Sequence, residues 1–382
     1  MQVTVQAAIA DIPAAEWNEL AGDTYPFLRH EFLHAAEASG SVAPEAGWTP
    51  RHLTLAGNGS IRAAMPLYEK SHSWGEFVFD WAWAQAYAQA GFSYYPKLVS
   101  AVPFTPAPSR RLLLRDRDDN EAASALVHAA IRLATDTECS SLHILFPDDD
   151  DIPLLEAAGL KLRKDCQFHW HNRRYNDFDD FLGTFSAVKR KKVRQDRRRV
   201  TDAGIRFRRL HGNDLGPEQW ALLYQLISMT FLRRGSLPYF NRDFFESISR
   251  ALPANILVIL AEKDAQPVAA AVFYESDTAL YGRYWGSDGH YDALHFETCY
   301  YQGIEYCIET GKEVFEPGTQ GEHKISRGFV PVETWSAHWL RKPEFFAAIS
   351  GYLAQEQRHI DRYMEAVDEH SPYRNDKATD RS

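Results

Sequence analysis

Cysteine is scarce in this sequence of 382 residues. The cysteines are Cys139, Cys166, Cys299 and Cys307, and no two of them lie at CxxC spacing. Without that spacing the cysteines give no indication of a metal or redox motif. We expect them to be buried thiols that pack like small apolar side chains.

Long apolar runs are also absent. No stretch of 18 apolar residues occurs, and the first residues, MQVTVQAAIADIP, contain neither a basic segment nor a long apolar one. A signal peptide or a membrane-spanning helix would need such features. We therefore expect a cytoplasmic protein without a transmembrane segment.

The motifs of several enzyme classes are missing. The sequence contains no GxSxG and no Walker A loop, so the hydrolase and P-loop classes have no support. His169 and His171 would share one face of a strand, but no third ligand of a suitable type is close in sequence. We therefore predict no metal site.

Basic residues are fewer than acidic ones, yet they are concentrated. The net charge is −10, while residues 189–199 (KRKKVRQDRRR) hold eight basic residues and one acid, which leaves −17 on the rest of the chain. One dense basic element in an acidic protein favours local binding of a phosphate-bearing ligand over general coating of nucleic acid. We predict no DNA partner.

The basic segment is predicted to be a helix with Ser186 as its N-cap. Arg190, Arg194 and Arg197 recur on one face at helical spacing, and the few valines of the segment are too sparse for deep burial. The predicted role of these arginines is contact with a polyphosphate or with an RNA backbone such as that of tRNA. The alternative is a solvated helix that pairs with acids elsewhere in the chain.

Apolar and aromatic residues are plentiful, at 45% and 13%, and the length suggests two domains. An internal repeat with an offset of 206 supports that division. Residues 51–69 and 257–275 each contain two apolar segments around a polar turn and end in Tyr-Glu. Aromatic segments follow at 77–84 and 280–287, and we expect all of these segments to be equivalent strands.

A helix and a strand follow in each half. The predicted pairs are 120–137 with 142–146, and 293–309 with 313–315. Asp292 is a candidate N-cap of the second helix, and Gly311 is expected to end it. The fold class is therefore α/β, with a mixed sheet and helices packed on it.

The predicted domains are contiguous along the chain. Residues 1–171 form the N-terminal domain, and residues 172–370, which open with the basic helix, form the C-terminal domain. The polar segment 371–382 is expected to be a disordered tail.

Four stretches carry a resemblance to a known family. They are FDWAWAQAYAQAG (79–91), YYPKLVSAVPFTP (94–106), HFETCYYQGIEYCIETG (295–311) and EPGTQGEHKISRGF (316–329). With the repeat, they make the chain resemble the bacterial FemAB-like family of predicted N-acyltransferases, which is related to the Fem-type peptidoglycan aminoacyltransferases. The resemblance implies two tandem GNAT-like domains and an acyltransferase activity.

The acyl donor stays open. GNAT-type enzymes that use acyl-CoA carry a Q/R-x-x-G-x-G/A turn whose backbone amides hold the pyrophosphate. The corresponding segment here, SDGHYDALHFE (287–297), contains a single glycine, Gly289. Fem-type enzymes also lack that turn and use aminoacyl-tRNA. We predict acyl-CoA or aminoacyl-tRNA as the donor co-substrate, with no bound cofactor.

The stretch 316–329 is the main candidate site. Gly318 and Gly321 indicate a tight turn or the close approach of backbone to a ligand. One helical turn would direct His323, Lys324 and Arg327 to one place, where they would suit a phosphate or a carboxylate. The alternative is a surface turn whose charges pair among themselves.

Catalytic roles follow from position in the family motif. An amine that attacks a carbonyl needs a base, for which Glu316 is the first candidate and His323 the alternative. Glu322 is a further carboxylate within reach. Tyr301 or Tyr284 is expected to protonate the leaving group.

A second candidate surface lies in the first half of the chain. Asp80, Trp81, Tyr95 and Lys97 would suit an amine-bearing acceptor through ion pairing and cation–π contact. Alternating aromatic residues at 77–83 are equally typical of a half-buried strand.

These observations predict an N-acyltransferase. It would transfer an acyl or aminoacyl group to the primary amine of a small molecule or a peptide, including that of a cell-wall precursor. The alternative function is a non-catalytic protein that binds tRNA or a cell-wall precursor.

Overall fold

The computed structural model describes residues 2–57, 59–319 and 321–374. The strands in these ranges are β1 Val3–Gln6, β2 Trp48–Pro50, β3 His52–Ala56, β4 Ile61–Met65, β5 Tyr68–Lys70, β6 Lys97–Ser100, β7 Leu113–Leu114, β8 Ser141–Leu145, β9 Lys161–His171, β10 Ile205–His211, β11 Ile256–Lys263, β12 Gln266–Glu275, β13 Ala279–Ser287, β14 Val314–Glu316 and β15 Val330–Leu340.

The helices are α1 Ala14–Ala21, α2 His30–Ala38, α3 Trp81–Gln89, α4 Asn120–Asp136, α5 Asp151–Ala157, α6 Phe178–Gly183, α7 Ala187–Asp202, α8 Pro217–Leu232, α9 Arg242–Ala251, α10 Leu294–Phe296, α11 Gln302–Thr310 and α12 Pro343–Asp368. A π-helical turn, Glu297–Tyr301, joins α10 to α11, and a 3₁₀ helix, Glu322–Arg327, precedes β15. Within the described ranges, none of the helices has the length and apolar character needed to cross a membrane.

The chain divides into two compact units. Unit 1 consists of Met1–Asp165, Tyr239–Ala251 and Glu333–Asp361, and unit 2 consists of Cys166–Pro238, Leu252–Val332 and Arg362–Ser382. The predicted contiguous domains 1–171 and 172–370 therefore need correction, because segments that are distant in sequence return to unit 1. One of them is α9, whose Phe244 ring lies 5.3 Å from the Phe32 ring of α2.

Unit 1 contains an antiparallel sheet in the order β1-β3-β4-β7 and a mixed set of strands in the order β15-β8-β6-β5-β2. Strands β6 and β8 are parallel. Helix α4 begins where the carboxylate of Asp119 accepts a hydrogen bond from the amide of Ala122. Its apolar face, including Leu126 and Val127, packs into the core with Leu53 and Ile144.

Unit 2 contains strands in the order β10-β11-β12-β13-β14-β9. All neighbours are antiparallel except β13 and β14, which are parallel. Helix α11 covers one face, where Ile304 packs with Phe273, Leu280 and Phe315. The predicted α/β class is confirmed.

The repeat is only partly as predicted. The hairpins β3–β4 and β11–β12 occupy the predicted segments, and both helix–strand pairs are present. The segment 77–84 is not a strand, because α3 begins at Trp81. Its alanine-rich sequence favours a helix, and the side chain of Asp80 is held in a buried ion pair with Lys97.

Two predicted features at the ends of the second long helix differ in outcome. Asp292 does not cap it, because the N-cap position of α10 is occupied by Ala293. The carboxylate of Asp292 instead lies 3.1 Å from the guanidinium of Arg199. Gly311 ends α11 as predicted, with a φ of 72° that suits glycine.

The predicted disordered tail 371–382 begins too early. Tyr373 forms a β-bridge with Phe185, and its hydroxyl donates a hydrogen bond to the carbonyl of Gly328 at 2.7 Å. These contacts fix residues 371–374 on unit 2, while residues 375–382 lie outside the described residues.

Candidate active site

Strands β13 and β14 separate inside unit 2. They pair over three residues only, and the last pair is Tyr281 with Glu316. Strand β13 then continues to Ser287, whereas the chain after Glu316 turns away at Pro317. A cavity of about 240 Å³ lies at this opening and is lined by Gly282, Arg283, Tyr284, Pro317, Gly318, Thr230, Phe231, Arg234, His295, Cys299 and Tyr300, among others.

Arg283 enters this region through a β-bulge. Val272 pairs with Tyr284 and Phe273 pairs with Gly282, so Arg283 is the extra residue of β13. Such bulges redirect a side chain and are frequent next to active sites. The side chain of Arg283 is 5% exposed, and its Nη2 lies 4.0 Å from Oε2 of Glu316.

Glu316 is a buried carboxylate at the end of β14. Its Oε2 accepts no hydrogen bond from any described residue. Burial raises the pKa of Glu316 to about 7, although the nearby charge of Arg283 opposes that rise. A carboxylate with a pKa near neutrality is suited to accept a proton. This geometry fits the role of base predicted for Glu316, which stays a prediction.

Lys324 is buried beside the same opening. Its ammonium donates a hydrogen bond to the carbonyl of Gly318 at 2.6 Å. Burial and the charge of Arg283 lower the pKa of Lys324 to about 7. An amine that is only partly charged at neutral pH gains its full charge when an anion approaches. Lys324 can therefore respond to an anionic ligand.

The two glycines of the loop, Gly318 and Gly321, are required for different physical reasons. Both have positive φ, 97° at Gly318 and 118° at Gly321. A Cβ on Gly321 would lie 2.3 Å from the imidazole of His323, whereas one on Gly318 would meet nothing closer than 3.7 Å. Gly318 serves the turn, and Gly321 also makes room for His323.

His323 and Arg327 are linked within the 3₁₀ helix. The Nε2 of His323 is 2.9 Å from the hydroxyl of Tyr300, which lines the cavity. Arg327 donates a hydrogen bond from Nη1 to the carbonyl of His323, and its guanidinium lies 3.4 Å from the centroid of the Phe296 ring. The charges of the loop thus do not pair among themselves as in a surface turn. Arg327 instead holds the loop through the carbonyl of His323 and the ring of Phe296.

The sequence matches the FemAB-like family model, described as peptidoglycan biosynthesis/recognition, over residues 8–375. The chain belongs to the FemAB-like family. Among curated proteins, none matches the sequence.

Solved structures show the same fold. The crystal structure of FemX aligns with a TM-score of 0.54 at 14% identity and covers 92% of this chain and 100% of its own. The structure of L-PGS from Bacillus licheniformis aligns with a TM-score of 0.51 at 13% identity, covering 85% of this chain and 96% of its own. These alignments agree with the predicted fold class, and family membership supports a transferase.

The tyrosines of this FemAB-like chain need one correction. Tyr284 lines the cavity, as its predicted role requires. Tyr301 does not line it, because its hydroxyl donates to the carboxylate of Asp196 at 3.4 Å and its ring packs near Phe178. The neighbouring Tyr300 takes the place that was predicted for Tyr301.

Glu322 is also removed from the candidate bases. Its side chain is exposed, and its carboxylate accepts a hydrogen bond from the hydroxyl of Tyr363 at 3.0 Å. Glu322 therefore lacks the burial that distinguishes Glu316.

The basic helix α7 has both structural and exposed arginines. Nη2 of Arg197 lies 3.1 Å from Oε1 of Glu297 and 3.0 Å from Oε2 of Glu305. For Arg197, therefore, the alternative of pairing with acids elsewhere in the chain is the one observed. Arg194 is exposed and lies 2.9 Å from Asp179. Arg190 is half-buried. Binding of phosphate groups by Arg190 and Arg194 stays a prediction.

The acceptor surface predicted in the first half is an internal ion-pair network of unit 1. Lys97 is fully buried, contacts Asp80 and donates a hydrogen bond to Glu76 at 2.7 Å. The hydroxyl of Tyr95 is 2.8 Å from that of Ser73. Trp81 alone is substantially exposed, at 42%. Asp80 and Lys97 thus form a buried ion pair with each other, which corrects their predicted role as open contacts for an amine.

No described residues form a cluster of three or more metal-ligating side chains. His169 is buried, with its Nε2 3.3 Å from the amide oxygen of Gln167. Burial and neighbouring charges lower the pKa of His169 to about 3.

The sequence interpretation missed most of the lining residues, among them Arg234, Arg283, His295, Cys299 and Tyr300. His295 and Cys299 lie four residues apart, a helical spacing that places both on one face. The π-helical turn at 297–301 is a feature that often marks functional sites, but no sequence pattern announces it. The expectation of buried thiols is confirmed for Cys139 and Cys307, whereas Cys166 and Cys299 are half-buried.

Proposed function

We propose that this FemAB-like protein is an N-acyltransferase whose reaction takes place at the opening between β13 and β14. The single observation that carries the proposal is Glu316, a buried carboxylate with a pKa near 7 beside a cavity that cationic side chains line. Burying a carboxylate without a hydrogen-bond partner for Oε2 costs stability, so its presence here indicates a function. Removal of a proton from an amine is a suitable function for it.

The chemistry assigns a role to each group. The neutral amine attacks the carbonyl of a thioester or an ester, and Glu316 or a water that it holds accepts the amine proton. Backbone N–H groups on the open edge of β13 would stabilise the oxyanion. Tyr284 would then protonate the leaving group, while Lys324 holds an anionic part of the donor.

The donor is acyl-CoA or aminoacyl-tRNA, and the acceptor is the primary amine of a small molecule, a peptide or a cell-wall precursor. The family description supports the cell-wall precursor among these. The exposed basic residues of α7 suit the phosphates of either donor.

A pair of matched variants tests the proposal. The purified protein is incubated with panels of acyl-CoA, aminoacyl-tRNA and amine acceptors, and products are followed by mass spectrometry. Glu316→Gln should lower turnover by about 10²–10⁴-fold with donor binding largely kept. Glu322→Gln, which changes an exposed carboxylate of the same loop, should retain turnover.

The proposal is wrong if a Glu316→Gln protein that melts like the parent turns over normally. The base would then be His323. Binding of tRNA or a precursor without turnover of any donor would instead favour a non-catalytic binding protein.

A further inference from the structure

Asp196 is a buried carboxylate on α7 whose contacts come from different elements. The residue is 2% exposed. Its Oδ1 lies 3.0 Å from Nζ of Lys192, one helical turn earlier. Its Oδ2 accepts a hydrogen bond from the hydroxyl of Tyr301 at 3.4 Å and lies 3.7 Å from Nη2 of Arg327. Asp196 thus joins the basic helix to the loop of the candidate site.

Arg327 carries this connection onward. The guanidinium that faces Asp196 also donates a hydrogen bond to the carbonyl of His323 and stacks on Phe296. Its Nε is buried and makes no hydrogen bond to any described residue. Arg327 Nη1 also donates a hydrogen bond to the hydroxyl of Ser326 at 3.0 Å. The position of Arg327 is therefore set by a buried charge, a ring, a carbonyl and a hydroxyl, and we expect a shift of the guanidinium to move the backbone of His323.

His323 transmits the shift to the cavity. His323 is an exposed residue, and its Nε2 meets the hydroxyl of Tyr300 at 2.9 Å. Tyr300 lines the cavity together with Cys299 and His295. A contiguous series of contacts thus runs from Lys192, on the outside of α7, to a side chain in the cavity wall.

We propose that Asp196 is a positioning residue for His323, and that phosphate groups bound to α7 act on His323 through it. This inference rests on the proposed function, which places the reaction at the cavity that Tyr300 lines. Lys192 is 57% exposed, so a phosphate in solution can reach it. Lys192 and Arg327 both approach the carboxylate of Asp196. Nη2 of Arg327 lies 3.7 Å from Oδ2 of Asp196, which is too far for a hydrogen bond.

The direction of the effect follows from electrostatics. A phosphate that draws Lys192 away leaves a buried carboxylate with less compensation, which then attracts Arg327 more strongly. Arg327 moves toward Asp196 and takes the carbonyl of His323 with it. Occupation of the basic helix by the phosphates of a donor thereby adjusts the His323–Tyr300 contact before the acyl group reacts.

The first test follows the His323 imidazole by NMR in histidine-labelled full-length protein, with His323→Gln to assign the signal. Inorganic polyphosphate at saturation should shift the His323 signal in the parent and not in Lys192→Gln. Arg194→Gln is the matched control, because it removes one positive charge of α7 that pairs with Asp179 rather than Asp196. In Arg194→Gln the shift should persist at saturation.

The second test removes the carboxylate. Asp196→Asn should displace the His323 signal without polyphosphate and abolish the further response. With a donor, kcat should fall by about 10- to 100-fold while KM is kept, since displacing the His323–Tyr300 contact of the cavity wall disturbs the alignment of the reactants more than their binding. Asp196→Glu should restore part of kcat. If Asp196→Asn fails to fold, Arg327→Lys breaks the same contact from the other side.

Three outcomes overturn the inference. An equal polyphosphate shift in Lys192→Gln would mean that phosphate acts directly at the loop. An unchanged His323 signal in Asp196→Asn, or no shift in the parent, would leave Asp196 as a structural residue of α7. The NMR tests need no acyl donor, so absence of turnover in the parent would refute the proposed function separately.

Discussion

Arg283 and Glu316 lie 4.0 Å apart where β13 and β14 separate, close enough for attraction and too far for a hydrogen bond. The arginine is placed there by a β-bulge, and the glutamate by the last pair of the parallel strands. Attraction at this distance lowers the pKa of Glu316 less than burial raises it. The carboxylate is consequently poised near neutral pH.

The pH dependence of turnover should reflect two groups with opposite signs. Glu316 must be ionised to accept a proton, so kcat should rise as pH increases through about 7. Lys324 must be charged to hold an anion, so the donor KM should rise as pH increases above about 7. Steady-state kinetics from about pH 6 to about pH 8 would separate the two effects.

Variants identify the groups in that profile. Glu316→Gln should remove the rise in kcat, and Lys324→Gln should remove the pH dependence of KM. A kcat that stays flat across this range in the parent would contradict the assignment of Glu316.

The two loop glycines should differ when each is changed to alanine. Gly318→Ala should cost only the strain of a positive φ, about 1 kcal/mol. Gly321→Ala adds a Cβ 2.3 Å from the His323 ring and should cost about 2–3 kcal/mol or displace the imidazole. Chemical denaturation and turnover of both proteins check this. Equal losses would mean that the space beside His323 is not constrained.

The arginines of α7 should separate into structural and surface residues. Arg197→Ala leaves the buried Glu297 without its cation and should lower the free energy of unfolding by about 1–3 kcal/mol. Arg194→Ala loses only an exposed pair with Asp179 and should change it by about 0.5 kcal/mol or less. Urea denaturation of the two variants decides, and similar values would contradict the distinction.

Unit 1 should depend on the ion pair between Lys97 and Asp80. Lys97→Met removes the cation from two buried carboxylates and should destabilise the protein by about 3–5 kcal/mol. Burial would raise the pKa of Asp80, but Lys97 outweighs it and the pKa falls to about 2. The stabilisation by ionised Asp80 is therefore present above the unfolded pKa of about 4 and is lost as pH falls through about 2.

Acid denaturation of the parent and of Lys97→Met measures this contribution. The parent should lose stability in the window from about pH 4 to about pH 2 more steeply than the variant does. Parallel curves would show that Asp80 does not contribute in this way.

The sequence by itself determined the features that depend on near neighbours. The helix after Ser186, the end of α11 at Gly311 and the glycine-containing loop of the site follow from helical spacing, capping and backbone freedom. Each rests on interactions within a few residues, which a single sequence displays directly. The family resemblance added the tandem fold.

Only the tertiary structure decided which of these side chains meet. Tyr300 and Tyr301 are adjacent in sequence, but one lines the cavity and the other contacts Asp196, 105 residues away. Asp80 was expected to be open to an acceptor, yet it is buried in an ion pair with Lys97. Burial, the bulge at Arg283 and the charge balance around Glu316 arise from packing between distant segments, and local pattern carries no information about that packing.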